Sequence, residues 1–198
     1  MASSIDLYIN DSIEGSIGVK SKILQDNTLL LAIQSAANLC IEAFNRGNKV
    51  ILAGNGGSAA DAQHIAAEFV SRFEFDRPGL PSIALTTDTS MLTAIGNDYG
   101  YEKLFLRQLQ ANAKEGDIFI AITTSGNSEN IVEAVKGAVD LGVTTIGLTG
   151  EGGILKELTD FCICVPSDST PRIQESHILI GHIICGIVEK TIFAGFAT

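Results

Sequence analysis

The stretch at residues 53–69, AGNGGSAADAQHIAAEF, places groups suited to proton transfer or metal binding just after a glycine turn. His64 and Glu68 are four residues apart, so on a helix both side chains project from one face. Near the chain's end, Gln174 and His182 share a face of an isoleucine-rich helical segment. Together these side chains can bind Zn²⁺ or a similar ion, and they include a base and an acid for proton transfer. The competing interpretation is that such a histidine is an ordinary core residue.

A second loop, residues 123–128 (TTSGNS), is crowded with hydroxyl groups. Hydroxyls and the free amides of a helix N-terminus can hold a phosphate monoester without a lysine. The alternative is that Ser125, Asn127 or Ser128 only caps the helix, but a cap needs one such residue. The four hydroxyls predicted to bind phosphate belong to Thr123, Thr124, Ser125 and Ser128.

A phosphorylated sugar beside a carboxylate and an imidazole suggests aldose–ketose isomerisation through an enediol. A base removes the proton alpha to the carbonyl, a second group moves protons between O1 and O2, and a metal would polarise the oxygens. Neither the glycine turn nor the hydroxyl-rich loop matches a dinucleotide-binding fingerprint or a P-loop, so nucleotide cofactors are not indicated.

Short apolar segments that alternate with helical patterns must position these groups. The strands are expected at residues 49–53, 82–85, 118–122, 144–148 and 161–165. Helices are expected between them, at about residues 58–72, 128–141 and 152–158. The alternation predicts an α/β fold, a doubly wound three-layer sandwich with a five-stranded parallel sheet, in which both loops lie at the carboxyl edge.

Two further helices, at about residues 26–46 and 171–193, exceed a minimal α/β unit. The second is apolar on nearly every face and must be covered on all sides. We expect a homo-oligomer with these helices at the interface, a larger monomer core being the alternative. The whole chain, residues 1–198, is expected to form one domain, whose first 47 or so residues supply helices to that interface.

The composition excludes several classes of function. The chain has 198 residues and a net charge of −10, which argues against nucleic-acid binding. No secretory signal and no uninterrupted apolar stretch of about 20 residues is visible, so we expect a cytoplasmic protein without a membrane span. Four scattered cysteines are interpreted as small buried residues.

Four motifs in the same order resemble those of sugar isomerase (SIS) domain proteins, and most closely of phosphoheptose isomerases. They are GNGGSAADAQHIAAEF, RPGLPSIALTTDTSMLTAIGNDYG, TTSGNS and RIQESHILIGH, and they span nearly the whole chain. The resemblance implies a SIS, flavodoxin-like sheet and a homotetramer with its sites between subunits. It also implies conversion of sedoheptulose 7-phosphate to D-glycero-D-manno-heptose 7-phosphate, at the start of heptose synthesis for lipopolysaccharide or capsule.

The resemblance also implies residue roles. The glycine loop and the GND motif would contact the sugar, and Glu68 and His182 would act as base and acid, with the two roles interchangeable. One Zn²⁺ per subunit would be held by His64, Glu68, Gln174 and His182, with Glu68 and Gln174 also touching substrate. The sugar contacts correspond to Asn55, Gly56, Gly57, Asn97 and Asp98.

Two positions depart from the family pattern. Thr123 stands where many relatives have Ser, which retains the hydroxyl. Pro171 stands where some relatives have Asp, so any carboxylate role there would pass to Asp61 or Asp168.

Three other functions remain open. A non-catalytic binding module of this fold would resemble the replication-initiator-associating proteins, which lack counterparts of Glu68 and His182. A sugar-phosphate-sensing regulator would need a DNA-binding domain, for which this length leaves no room. An isomerase of another sugar phosphate is the third alternative.

Overall fold

Five parallel strands form the central sheet in this computed structural model, which describes residues 4–195 of the chain. The predicted sheet is therefore confirmed, in the order β2-β1-β3-β4-β5. The strands are β1 (Val50–Gly54), β2 (Ser82–Ala84), β3 (Ile118–Ile122), β4 (Thr144–Thr149) and β5 (Phe161–Cys164). Of the single domain expected over residues 1–198, residues 1–3 and 196–198 lie outside the described part.

Eight α-helices flank or extend this sheet within residues 4–195. They are α1 (Ser4–Gln25), α2 (Asn27–Asn45), α3 (Gly57–Val70), α4 (Thr89–Tyr99), α5 (Leu104–Asn112), α6 (Glu129–Asp140), α7 (Leu155–Leu158) and α8 (Thr170–Ile192), with a 3₁₀ turn at Tyr101–Lys103. Over the same range, no helix has both the length and the apolar character needed to cross a membrane.

The two faces of the sheet each bury a separate apolar cluster, which produces the expected three layers. Val50 and Leu52 of β1 pack with α1, α2, α3 and α8. Ile51 and Ala53 point the opposite way and pack with α5, α6 and α7. Because both faces are covered, the strands are apolar throughout rather than alternating.

Helices α1, α4 and α5 were not predicted as individual elements. No residue of α4 is buried, and α1 buries only Val19 and Ile23, so neither has the apolar periodicity of a core-facing helix. On α1 the apolar residues instead form an exposed ridge at every fourth position. This α1 ridge consists of Ile5, Ile9, Ile13 and Ile17.

Helices α3 and α8 lie side by side and run in the same direction. The carboxamide of Gln174 lies against Gly57 at the start of α3, and the Ile65 side chain contacts Gly181 at the middle of α8. Beyond the end of α3, the backbone of Phe73 is hydrogen-bonded to Glu189. This parallel register decides which side chains of the two helices can meet.

Candidate active site

The glycine loop and the hydroxyl loop (residues 123–128) begin side by side at the carboxyl edge of the sheet. Gly54 at the end of β1 is paired with Ile122 at the end of β3. This position, between β1 and β3, is where the strand order reverses, and open α/β sheets bind their ligands at such a point. The predicted juxtaposition of the two loops is confirmed.

The Asn55 side chain is fully engaged within the protein. Its amide group donates to Asn130 Oδ1 at 2.8 Å, and its carbonyl oxygen accepts from Asn130 Nδ2 at 2.9 Å and from the Tyr101 hydroxyl at 3.0 Å. Asn130 is buried in the first turn of α6. The pair of amides therefore ties the glycine loop to the helix that follows the hydroxyl loop.

Close packing explains why a glycine occupies position 57. A Cβ atom there would lie 2.5 Å from Nε2 of Gln174, which is shorter than any normal contact. Gln174 is thereby brought against the glycine loop, and its contact with substrate stays a prediction. It lies about 12 Å along α8 from His182, since eight residues separate them at 1.5 Å each.

Three hydroxyls of the second loop bond to one another rather than to the helix start. Thr123 Oγ1 lies 2.9 Å from Ser128 Oγ and 3.3 Å from Ser125 Oγ. Ser128 occupies the N-cap position of α6 but makes no side-chain capping bond. The alternative that these residues only cap the helix is therefore wrong for Ser128, although Ser125 Oγ accepts from the Asn127 amide at 3.2 Å.

The backbone of the hydroxyl loop packs directly on the segment before α7. Gly126 has φ of 67°, and a Cβ on it would lie 2.5 Å from the carbonyl oxygen of Gly152. Gly153 has φ of 94°, and its own Cβ would strike the α-carbon of Gly126. The loop is further held by the Gly150 amide, which donates to the Thr124 carbonyl at 3.2 Å.

Imidazole and carboxylate groups from α3 and α8 meet two to three helical turns along α3 from the glycine loop. His64 Nε2 lies 3.0 Å from Glu68 Oε1 and 3.5 Å from His182 Nε2. One donor atom from each of the three residues fits within 4.8 Å, close enough to bind one metal ion. These residues, called the α3–α8 trio below, fit a metal because two imidazoles and a carboxylate, all ligand types that zinc accepts, converge on one point.

Asp61 lies one turn before the trio on α3 and carries a buried oxygen. Its Oδ2 has no hydrogen-bond partner among the described residues. Burial raises the pKa of this carboxyl above its ordinary value, and the neighbouring His64 offsets part of the rise. Asp61 therefore stays a candidate for proton transfer or for the carboxylate role lost at Pro171.

Asn97 and Asp98 are exposed near the end of α4 and bond to each other, Nδ2 to Oδ1 at 2.7 Å. Helix α4 packs on α5 and the 3₁₀ turn. Their role in substrate binding is thus neither supported nor opposed by contacts within one protomer, and it stays a prediction.

A buried ion pair that the sequence analysis missed lies just beyond the trio. Arg77 Nε donates to Glu189 Oε1 at 2.9 Å, and both side chains are about 1% exposed. Burial by itself raises the pKa of Glu189, but the amides of Glu74 and Phe73 and the Arg77 guanidinium outweigh it and hold that pKa below its ordinary value. The only signal in the sequence was a Glu interrupting an isoleucine-rich helix, the same signal that marked His182.

Comparison with known proteins identifies the family of this site. The SIS domain model matches residues 19–150. The chain is 65% identical over 187 residues to a phosphoheptose isomerase of Aneurinibacillus thermoaerophilus, covering 94% of each chain. It is 60% identical over 196 residues to phosphoheptose isomerase 2 of Campylobacter jejuni, covering 98% of each. The structure of a phosphoheptose isomerase from Francisella tularensis superposes with a TM-score of 0.90 at 42% identity, covering 96% of this chain and 100% of the other.

Proposed function

The chain belongs to the SIS-domain family and, within it, to the phosphoheptose isomerases, and we propose that it converts sedoheptulose 7-phosphate to D-glycero-D-manno-heptose 7-phosphate. The observation that carries the proposal is the convergence of His64, Glu68 and His182 on α3 and α8, where α3 begins at the glycine loop, beside the hydroxyl loop. A phosphate site and a proton-transfer site on one sugar are what an aldose–ketose isomerase of a sugar phosphate requires. The enzyme class is therefore an intramolecular oxidoreductase.

The phosphate of the substrate would bind at the hydroxyl loop. Thr123, Ser125 and Ser128 already bond to one another, so their hydroxyls point into a common space. The amides at the start of α6 and the positive end of that helix add to the attraction for an anion. The sugar would then extend over residues 55–57 towards the trio.

Glu68 is the proposed C–H base, because a carboxylate suits proton abstraction alpha to a carbonyl. It removes a proton from C1 of the ketose, which leaves an enediolate, and returns a proton to C2. His182 gives a proton to O2 and takes one from O1, so that the C2 carbonyl becomes an alcohol and C1 becomes the aldehyde. The roles of the two residues are interchangeable until tested.

Zinc is the proposed metal, held by His64, Glu68 and His182. When bound, it would supply a Lewis acid that polarises the sugar oxygens. Gln174 completes the donor set only if another subunit presents it, because within one protomer its carboxamide lies against Gly57.

The assembly proposed is a homotetramer with its sites between subunits. The exposed α1 ridge supports this, since monomeric proteins seldom expose a row of large apolar residues. The hollow beside the glycine loop is only about 100 Å³, below the 300 Å³ or so of a ligand pocket, so a neighbouring subunit would complete it. A monomer at micromolar concentration by light scattering would rule this assembly out. The heptose phosphate would enter lipopolysaccharide or capsule synthesis in the cytoplasm.

The test is to supply sedoheptulose 7-phosphate in D₂O and follow the products by NMR. The proposal expects an aldose heptose 7-phosphate with deuterium at C2, and no exchange with a His182→Asn variant. Shorter ketose phosphates supplied in parallel test the alternative substrate. Absence of exchange with every sugar phosphate, with zinc present, would favour a binding module instead.

A further inference from the structure

The segment that follows α3 is anchored to α8 by the buried Arg77–Glu189 pair. The Arg77 guanidinium donates to the carbonyls of Glu68, Phe69 and Pro78 at 2.8, 2.6 and 3.0 Å. A cation placed there caps the end of α3, where carbonyl groups lack helical partners. Arg77 is therefore hydrogen-bonded to the last turn of α3, including the backbone carbonyl of Glu68.

Glu189 holds the other side of the same connection. Its Oε1 accepts from the Phe73 amide at 2.8 Å, and its Oε2 accepts from the Glu74 amide at 2.7 Å. Because Glu189 lies two turns after His182 on α8, it fixes Phe73 at a set distance from that histidine. The chain around Phe73 is thus tied to both helices that supply the trio.

The Phe73 ring is stacked on the His182 imidazole. Their centroids are 5.5 Å apart and their planes are inclined by 29°. On the next turn of α8, Gly186 packs against the same ring, since a Cβ there would lie 3.4 Å from it, at an ordinary contact distance. On its other side His182 meets His64 edge-on, with centroids 5.0 Å apart. The imidazole is bounded by two rings.

We propose that Phe73 is a positioning residue for the reaction, whose ring, anchored through the Arg77–Glu189 pair, sets the orientation of the His182 imidazole. The second torsion of a histidine is broad, so a half-exposed imidazole keeps one orientation only when its neighbours impose it. Phe73 touches neither substrate nor metal in this role. The inference rests on the proposed function for the catalytic part of its consequence, but the orientation of His182 also governs metal binding.

The test compares Phe73→Leu with the parent enzyme. Leu retains apolar volume but removes the flat ring, so zinc affinity, measured by competition with a chromophoric chelator, should fall about tenfold, as is usual when an outer partner of a metal ligand is lost. The value of kcat should fall about tenfold, while KM should change less than about twofold, because the phosphate site is untouched.

Two matched variants separate positioning from general packing. Phe73→Tyr keeps the stacked ring and should restore zinc affinity and kcat. Phe193→Leu removes a ring that lies 5.5 Å from the same Arg77 guanidinium, without stacking on His182, and should leave both values within about twofold of the parent. Parent-like values for Phe73→Leu, failure of Phe73→Tyr to restore them, or equal losses in Phe193→Leu would each overturn the inference.

Failure of the proposed function is recognised separately. If the parent enzyme does not isomerise the heptulose phosphate, that function is wrong, whereas the zinc titration of the Phe73 variants still decides whether the ring orients His182.

Discussion

The hydroxyl loop and the α3–α8 trio are assembled in opposite ways. The hydroxyls come from six consecutive residues, and a single strand–loop–helix turn brings them together. The trio joins His64 to His182, which are 118 residues apart in the chain. A local site depends on one turn, whereas the trio depends on two helices being held in register.

This difference predicts how the two sites respond to damage. Thr123 bonds to both serines of its loop, so the loss of one hydroxyl leaves two that still converge. In the trio each side chain is proposed to have a separate chemical role, and the Arg77–Glu189 pair holds the backbone of Glu68 and of Phe73, whose ring stacks on His182. Single changes should therefore be mild in the loop and severe in or beneath the trio.

The largest effect is expected for Glu189→Gln, which removes the buried ion pair next to the α3–α8 trio. The change leaves the Arg77 guanidinium buried without a counter-charge, so the free energy of unfolding should fall by about 3–5 kcal/mol. Urea denaturation followed by circular dichroism measures this. Glu42→Gln, at an exposed ion pair on α2, is the matched control and should stay within about 0.5 kcal/mol of the parent. Equal midpoints for the two variants would contradict the importance of the pair.

Glu68→Gln should cost turnover at least about 10²-fold, because the side chain keeps its size but loses its basicity. Steady-state kinetics and deuterium exchange at C2 measure the loss, with light scattering as the check that fold and assembly are intact. The turnover of His182→Asn should fall to a comparable extent. Near-parent turnover and exchange in Glu68→Gln would reassign the base to Asp61 or His182.

Smaller effects are expected in the hydroxyl loop. Ser125→Ala and Ser128→Ala should each weaken binding of the sugar phosphate by about 1–2 kcal/mol, the usual scale of a lost hydrogen bond to a charged group. Calorimetric titration would record this as a dissociation constant about 5- to 30-fold higher. Ser35→Ala, whose hydroxyl bonds within α2, should bind like the parent. If Ser125→Ala and Ser128→Ala also bound the sugar phosphate like the parent, the loop would only shape the start of α6.

The mildest prediction concerns His177, which supports the hydroxyl loop from α8. Its side chain is buried, and its Nε2 lies 3.1 Å from the carbonyl oxygen of Thr149. The next residue, Gly150, donates its amide to the Thr124 carbonyl. Burial lowers the pKa of His177 to about 4, partly opposed by that hydrogen bond. The unfolded chain, with an ordinary pKa of about 6.5, therefore binds the proton first, so stability is full above pH 6.5 and falls as the pH drops towards 4.

A His177→Gln variant should lose that part of the pH dependence. Between pH 6.5 and 4 its free energy of unfolding should decline less steeply than that of the parent, by up to about 1.4 kcal/mol per pH unit for one proton. Urea denaturation at several pH values gives the two slopes. Parallel slopes would mean that His177 does not titrate on unfolding in this range.

The same contrast between local and distributed structure decides what could be predicted from the sequence. The inner strands β1, β3 and β4 were predicted because burial on both faces makes each an apolar segment, the half-exposed edge strands β2 and β5 because each is a short apolar run, and the hydroxyl loop because its residues are contiguous. The trio was predicted from residue type and spacing together with the family resemblance. Phe73, Asn130 and the Arg77–Glu189 pair were not, because no local pattern shows that α8 runs parallel to α3 or that α6 begins beside Asn55. Helices α1 and α4 are exposed and lack a core-facing periodicity of apolar residues, so the sequence did not predict them.

The contact between Gly126 and Gly153 limits how substrate preference can change by mutation. Each glycine excludes a side chain on the other, so replacing both adds a second clash rather than relieving the first. A library that diversified these two positions would yield almost only misshapen loops. Variation in sugar choice must therefore arise at positions other than these two glycines, while the two backbones keep a fixed spacing.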